Sequence, residues 1–460
     1  MATLALITLP LSGHMNPMVA AARALRRAGH RPVVLGPADL VARLPEDVEA
    51  RIIGEADLPR GELDARCACL SRMGSLDDVR RMFALVADLS RFYVTHLPSA
   101  LEQLGAQALL HDQLEPGAGL VARGLSRSLG LRHLSLACAL PMNQEASVPP
   151  PFMGWRSRPG PGGQGLNGGY YTVVNALLRE QGQVLSDAAH RFGLSKPARN
   201  LDGSALQDWQ RAWSVEDGRS RTYDLAQGLA SLDFPRTDPP SYLGPFREGV
   251  STYPGLSSVE AERDGRPLCF VSLGTLMGAR ASLLSAMARA AIRRGLQPVV
   301  VHGGRLEDPD ALPRGTIARD FLDQRAVLAE CDAAIIHGGY NSTTDAVAAG
   351  VPLVTVPIAF EQAAIAARVE HAGLGRRVGR RGPDLAQRIA LGLSDTARDP
   401  EHRAARNRAR FEALAAPGTA GLVAAVDAAM SGRRLPARET APQAEPGRTA
   451  PLGALPLPAE

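Results

Sequence analysis

The feature that most limits the possible folds is an alternation, begun twice, of short apolar runs with helix-period stretches. Leu4–Thr8 is an apolar run of strand length, followed by a glycine-containing turn. Helical spacing then runs from Pro17 to about Ala28, Gly29 ends it, and Pro32–Leu35 reads as the next strand. Proline suits a helix start, where its missing N–H would have no partner. The pattern returns as strand Ala108–His111, helix Gly117–Leu129 and strand Arg132–Leu136. It starts afresh at Pro267, with strands Leu268–Ser272, Pro298–His302, Ala333–Ile336 and Leu353–Val356. Helices are expected over 280–294, from Ser342, and from about Gln362 to His371. This order builds parallel sheets covered by helices, so the expected fold class is α/β with two doubly wound domains. Such domains bind ligands beyond the carboxyl ends of their strands.

The expected division is residues 1–247 and 266–433 as domains, 248–265 as linker, and 434–460 as a disordered tail rich in Pro, Ala and Glu. Residues 149–169 read as loop. Gly160, Gly162 and Gly165 formally match a dinucleotide-binding glycine pattern, but no strand precedes them and prolines interrupt them. Residues 170–235 read as mostly helical. The net charge of +4 is dispersed, which argues against a nucleic acid partner. Cys67, Cys69, Cys138, Cys269 and Cys331 lack metal-ligand spacing, so no zinc site is expected. The N-terminus lacks the basic region of a signal peptide, and no apolar run approaches membrane-spanning length. A reducing cytoplasm is the expected compartment, with peripheral contact at the inner face of the membrane left open. The sequence is silent on oligomeric state.

The most informative stretch is 332–362, DAAIIHGGYNSTTDAVAAGVPLVTVPIAFEQ. A strand ends at Ile336; His337, two glycines, Tyr340, Asn341 and Ser342 follow, and a helix begins. Gly339 lets the backbone pass close to a ligand. Asn341 or Ser342 is expected to cap the helix, whose N-terminal amides favour a phosphate. His337 adds a donor, neutral or cationic. Asp345 either takes a diol or closes a capping box. Glu361 beside Gln362 suits sugar hydroxyls.

This run resembles the donor signature of nucleotide-sugar-dependent glycosyltransferases of the GT-B fold. The resemblance implies that Phe321 stacks on uracil, with Gln324 beside it. It assigns the diphosphate to His337, Asn341 and Ser342, the ribose to Asp345, and the transferred sugar to Glu361 and Gln362. Ser272-Leu273-Gly274-Thr275 resembles the family's loop beside the phosphates, which brings in Ser272 and Thr275.

In the first half, His14 follows the first strand and Asp112 ends the strand after Ala108. Transfer to an alcohol needs a base of near-neutral pKa, and a carboxylate can fix its tautomer. His14 and Asp112 match the family's catalytic dyad, and His111 is expected to point away. The expected reaction is an inverting displacement with a UDP-sugar, glucose favoured, as co-substrate. It needs neither cofactor nor metal, and the Asp308-Pro309-Asp310 motif reads as surface decoration. DQLEPGAG (112–119), NQEASVPPPFMGW (143–155) and 357–377 look most like bacterial carotenoid glucosyltransferases of the zeaxanthin type. The expected acceptor is thus hydrophobic and hydroxylated, with Phe152 and Trp155 as wall candidates, joined by Met153, Tyr170 and Tyr171. Macrolide, flavonoid or sterol-type acceptors remain alternatives, as do a noncatalytic nucleotide-sugar binder and a nucleotide-sugar epimerase.

Overall fold

The computed structural model describes residues 1–72, 76–158, 160–194, 222–246 and 253–433. Strands β1 (Thr3–Ile7), β2 (Arg31–Gly36), β3 (Ala50–Ile52), β4 (Ala108–Asp112), β5 (Arg132–Ala137), β6 (Thr222–Ala226) and β7 (Ser241–Tyr242) build one sheet. Its spatial order is β3-β2-β1-β4-β5-β6-β7. Strands β8 (Leu268–Ser272), β9 (Gln297–Val301), β10 (Ile317–Arg319), β11 (Ala333–Ile336), β12 (Leu353–Thr355) and β13 (Gly375–Arg377) build the other. Their order is β10-β9-β8-β11-β12-β13, and every pairing in both sheets is parallel. The α/β class read from the alternation is the architecture found.

Strand β1 shows why these runs become strands. Leu4 and Leu6 enter one core cluster, Ala5 and Ile7 the cluster on the opposite face. A central parallel strand is covered by helices on both sides, so it is apolar throughout. The direction in which successive strands are added to the sheet reverses between β1 and β4, and again between β8 and β11. These are the switch points where such sheets open a crevice. Register sets what stands there: Ile7 pairs with His111, so Asp112 lies just beyond, and Ser272 pairs with Ile336.

Three expectations change. Helix α1 (Ser12–Arg27) begins ahead of Pro17 and runs through it. The proline forgoes only its bond to the Gly13 carbonyl. After α2 (Ala38–Val41), α3 (Glu62–Cys67), α4 (Leu76–Leu104) and α5 (Pro116–Leu129), the later part of the expected loop, from Pro161, is already helix and begins α6 (Pro161–Leu177). Its glycines give it poor intrinsic propensity, and tertiary bonds hold it. The Asn167 amide donates to the Ala146 carbonyl and the Tyr171 hydroxyl to that of Val148. Helix α7 (Arg179–Arg191) follows, but β6 then stands where helix was expected, with β7 just beyond. Residues 195–221 of that region lie outside the described residues, as do 247–252 of the linker and the tail 434–460. The rest of the linker carries a 3₁₀ turn, Leu256–Glu262. The last helix, Gly418–Met430, returns to the first sheet, burying Leu422, Val426 and Ala429 against Leu4, Leu6 and Met18. Among the described residues no single helix is long and apolar enough to cross a membrane.

The domains are joined by a buried ionic cluster. Asp233 follows β6 in the first domain. One of its carboxylate oxygens accepts from Arg368 of the helix Gln362–His371 at 2.7 Å. The other accepts from Arg236 at 2.7 Å and from the Tyr242 hydroxyl at 2.6 Å. Arg236 also donates to the carbonyls of Asn143 and Pro141. The Arg368 guanidinium lies 4.4 Å over the Phe234 ring. Burial alone would push the Asp233 carboxyl up, but the two guanidiniums outweigh it and hold it well below the usual range. Removing one partner strands a buried charge. Arg368→Ala is therefore expected to lower unfolding free energy by about 3–5 kcal/mol, read from the denaturant midpoint. Adding Asp233→Ala should cost less than the sum of the two single changes.

Candidate functional site

A cleft of about 820 Å³ lies between the carboxyl ends of the two sheets and takes in both switch points. On the first-domain side, His14 sits in the first turn of α1, with Nδ1 2.7 Å from Asp112 Oδ2. The other carboxylate oxygen accepts the Leu114 amide at 3.0 Å. The Cys138 thiol also donates to Asp112. With Nδ1 held by the carboxylate, Nε2 is the nitrogen left to act as a base. Burial works against charging His14. The charge and hydrogen bond of Asp112 outweigh it, with help from Glu361, and the pKa is raised above the usual 6.5. His111 points away as expected, stacked on His133 at 4.9 Å between ring centroids.

On the second-domain side, the helix Tyr340–Ala349 has Gly339 as its N-cap and no side-chain cap. The expected capping by Asn341 or Ser342 does not occur, so the first-turn amides are left to face the cleft. His337 is neutral near pH 7, because burial lowers its pKa to about 4. The cationic alternative is thereby corrected. Its Nδ1 is buried without a partner. Two glycines make room for this ring. A β-carbon at Gly274, with φ +69°, would stand 2.9 Å from Cε1, and one at Gly339 would stand 2.5 Å from Nε2.

The remaining donor-side residues also border the cleft. Ser342 donates to Gln324 at 3.0 Å, and Gln324 donates to Asp345 at 2.8 Å. Asp345 is thus tied to Gln324 rather than closing a capping box. Phe321 is 37% exposed and stacks on Tyr253, 5.1 Å between centroids and 14° between planes. Ser272 is spent internally. Its hydroxyl donates to the Val301 carbonyl and accepts the Gly274 amide. Thr275 lines the wall, and its carbonyl holds Arg305. The side-chain oxygen of Gln362 accepts the Ile358 and Ala359 amides at 2.8 and 3.0 Å. Glu361 faces the cleft, and burial raises its carboxyl pKa.

Asn341 reaches across the domains. Its amide donates to the Gly13 carbonyl at 2.9 Å, the carbonyl that Pro17 cannot satisfy. Its oxygen accepts from Gln227 at 2.6 Å, and the same Gln227 nitrogen donates to the Cys138 carbonyl at 2.6 Å. Sequence reasoning missed Gln227, Cys138 and Tyr253. Positions just past the ends of β6 and β5 were the available signal for the first two.

Part of the first-domain wall, where the acceptor was expected, is apolar. Met82, Phe83, Val86 and Leu89 of α4 line it. Phe152 lines it too, edge-on to Phe83 at 6.1 Å. The helical spacing of these α4 residues was readable but went unused. Trp155 does not line the cleft. It packs edge-on to Tyr170 at 4.3 Å, and Met153, Tyr170 and Tyr171 also lie outside the lining. Asp308 and Asp310 are exposed, with Asp308 accepting the Asp310 amide at 3.0 Å to cap a turn.

Asp112→Asn removes the charge and leaves the burial. The His14 pKa, followed by NMR, is expected to fall from above 6.5 to below it. Gln227→Glu keeps the shape but loses both N–H donors. It is expected to cost about 1–3 kcal/mol of stability and to speed amide exchange through residues 13–18.

The family model for the "Erythromycin biosynthesis protein CIII-like, C-terminal domain" matches residues 296–429. A zeaxanthin glucosyltransferase of Pseudescherichia vulneris is 32% identical over 404 residues, covering 86% of this chain and 91% of that one. Another, of Pantoea ananas, is 29% identical and covers 83% of this chain and 85% of its own. Among solved structures, the calicheamicin glycosyltransferase CalG4 superposes with a TM-score of 0.64 at 19% identity, covering 94% of this chain and 98% of its own. The glycosyltransferase VinC in complex with dTDP gives 0.59 at 18%, covering 93% and 99%. The chain belongs to the GT-B glycosyltransferases, in the family that includes the bacterial zeaxanthin glucosyltransferases.

Proposed function

We propose that this glycosyltransferase moves glucose from UDP-glucose to a hydroxyl of a carotenoid-type acceptor, with inversion and without a metal. The observation that carries the reading is the His14–Asp112 pair at 2.7 Å, set where the apolar trough meets the open helix start at Gly339. The acceptor hydroxyl gives its proton to His14 Nε2, and Asp112 stabilises the imidazolium. The hydroxyl oxygen forms a bond to the anomeric carbon while the bond to the nucleoside diphosphate breaks. The departing phosphate keeps the electron pair. Amides of the first turn and a neutral His337 N–H stabilise its charge. One displacement inverts the anomeric centre. Glu361 and the Gln362 amide hold sugar hydroxyls, and Phe321 with Tyr253 offers a ring platform for the base.

The protein thus supplies the positive potential itself. Asp308-Pro309-Asp310 is occupied with its own turn outside the cleft. Two zeaxanthin glucosyltransferases among the relatives support the acceptor and the sugar. VinC with dTDP makes thymine the competing base.

The test is product mass from UDP-glucose and a detergent-dispersed panel of zeaxanthin, a macrolide and a flavonol. His14→Ala is expected to lower transfer by about 10²–10⁴-fold. Transfer confined to the macrolide or flavonol overturns the carotenoid reading. For the wild type, kcat/KM is expected to fall on acidification, with the midpoint above 6.5, because protonated His14 cannot accept a proton.

A further inference from the structure

Helix α6 carries no Asp, Glu, Lys or Arg over its whole length, Pro161–Leu177. Leu166, Val173 and Leu177 fall in one narrow arc and stand 36%, 51% and 41% exposed. The other exposed positions of the helix are Pro161, Gln164, Thr172, Ala176 and glycines, all uncharged. The opposite face is fastened down by Asn167 and Tyr171. An uncharged helix, anchored by one face and open on the other, is unusual on a surface facing only water. Exposed arginines bracket it: Arg158 precedes it and Arg179 follows it. Leu178, at the end of the helix, lines the cleft together with Phe152 and Gln181.

We propose that α6 docks on an anionic lipid bilayer, with Leu166, Val173 and Leu177 among the acyl chains and Arg158 and Arg179 at headgroup phosphates. An acceptor dissolved in the bilayer then enters the trough past Leu178 without crossing water. The charge pattern favours lipid over a second copy of the chain. An antiparallel pairing of two α6 helices would set Arg158 of one against Arg179 of the other, a like-charge contact, whereas phosphates complement both. The entry route rests on the hydrophobic-acceptor reading; the docking does not.

The test is co-sedimentation of the full chain with phosphatidylglycerol or phosphatidylcholine vesicles, without donor. Binding to the anionic vesicles, falling with salt, is expected. Val173→Asp with Leu177→Asp should weaken it at least about tenfold. UDP binding by that variant serves as the check on folding, and Arg158→Glu with Arg179→Glu should weaken binding without touching the apolar face. No wild-type binding, or equal binding by the Asp variant, overturns the proposal. So does a dimer that the Asp variant splits while the wild type ignores vesicles. Vesicle binding without transfer to zeaxanthin in any form upholds the docking and overturns the carotenoid reading. Transfer to detergent-dispersed zeaxanthin without vesicle binding does the reverse.

Discussion

The cleft exists because Asp233 and Arg368 meet in a place closed to water. One belongs to the first domain, the other to a helix of the second, and each is nearly fully buried. Neither charge could stand there alone. Arg236, Tyr242 and the Phe234 ring complete the shell, so the joint is defined by directional bonds as well as contact area. The same helix begins at Gln362, whose side chain organises the loop before it and so presents Glu361 to the cleft. Fixing Arg368 thereby also fixes where Glu361 stands relative to His14.

The two halves of the cleft use opposite electrostatic strategies. On the first-domain side, a carboxylate outweighs desolvation and makes His14 easier to protonate. On the second-domain side no carboxylate compensates, and His337 stays neutral. In the proposed reaction the base must receive a proton and then hold it briefly. A donor facing a phosphate needs only its N–H, with the backbone dipole supplying positive potential. Burial acts on both rings, and the presence or absence of one Asp decides between the two behaviours.

Much of this was legible in the sequence, and the illegible parts share a cause. The central strands read clearly because parallel strands covered on both faces must be continuously apolar, as LALI and AAII are. The edge strands β3, β10 and β13, with ARI, IAR and GRR, have no such requirement and were missed. Helix α6 was hidden by its glycines, because its support comes from Ala146 and Val148 rather than from propensity. His14, Phe152, His337, Gly339, Asn341, Ser342, Asp345, Glu361 and Gln362 border the cleft, with Asp112 buried behind His14. Asn341 and Ser272 were misjudged because short-range pattern cannot show that a side chain is already engaged elsewhere. Gln227 has only its place just past the end of β6 as a signal; the juxtaposition of β6 with the other domain gives it a role.

Pro17 leaves a gap in the helical ladder of α1, and the domains meet through that gap. The Gly13 carbonyl has no amide waiting for it inside the helix, so its partner is either Asn341 or solvent. Parting the domains here would exchange this bond, and the one Asn341 accepts from Gln227, for bonds to water, a net difference of about 0.5–1.5 kcal/mol each. A contact of that size registers the closed arrangement without locking it. The ionic joint at Asp233 has no such exchange open to it, because neither charge can be left buried without the other.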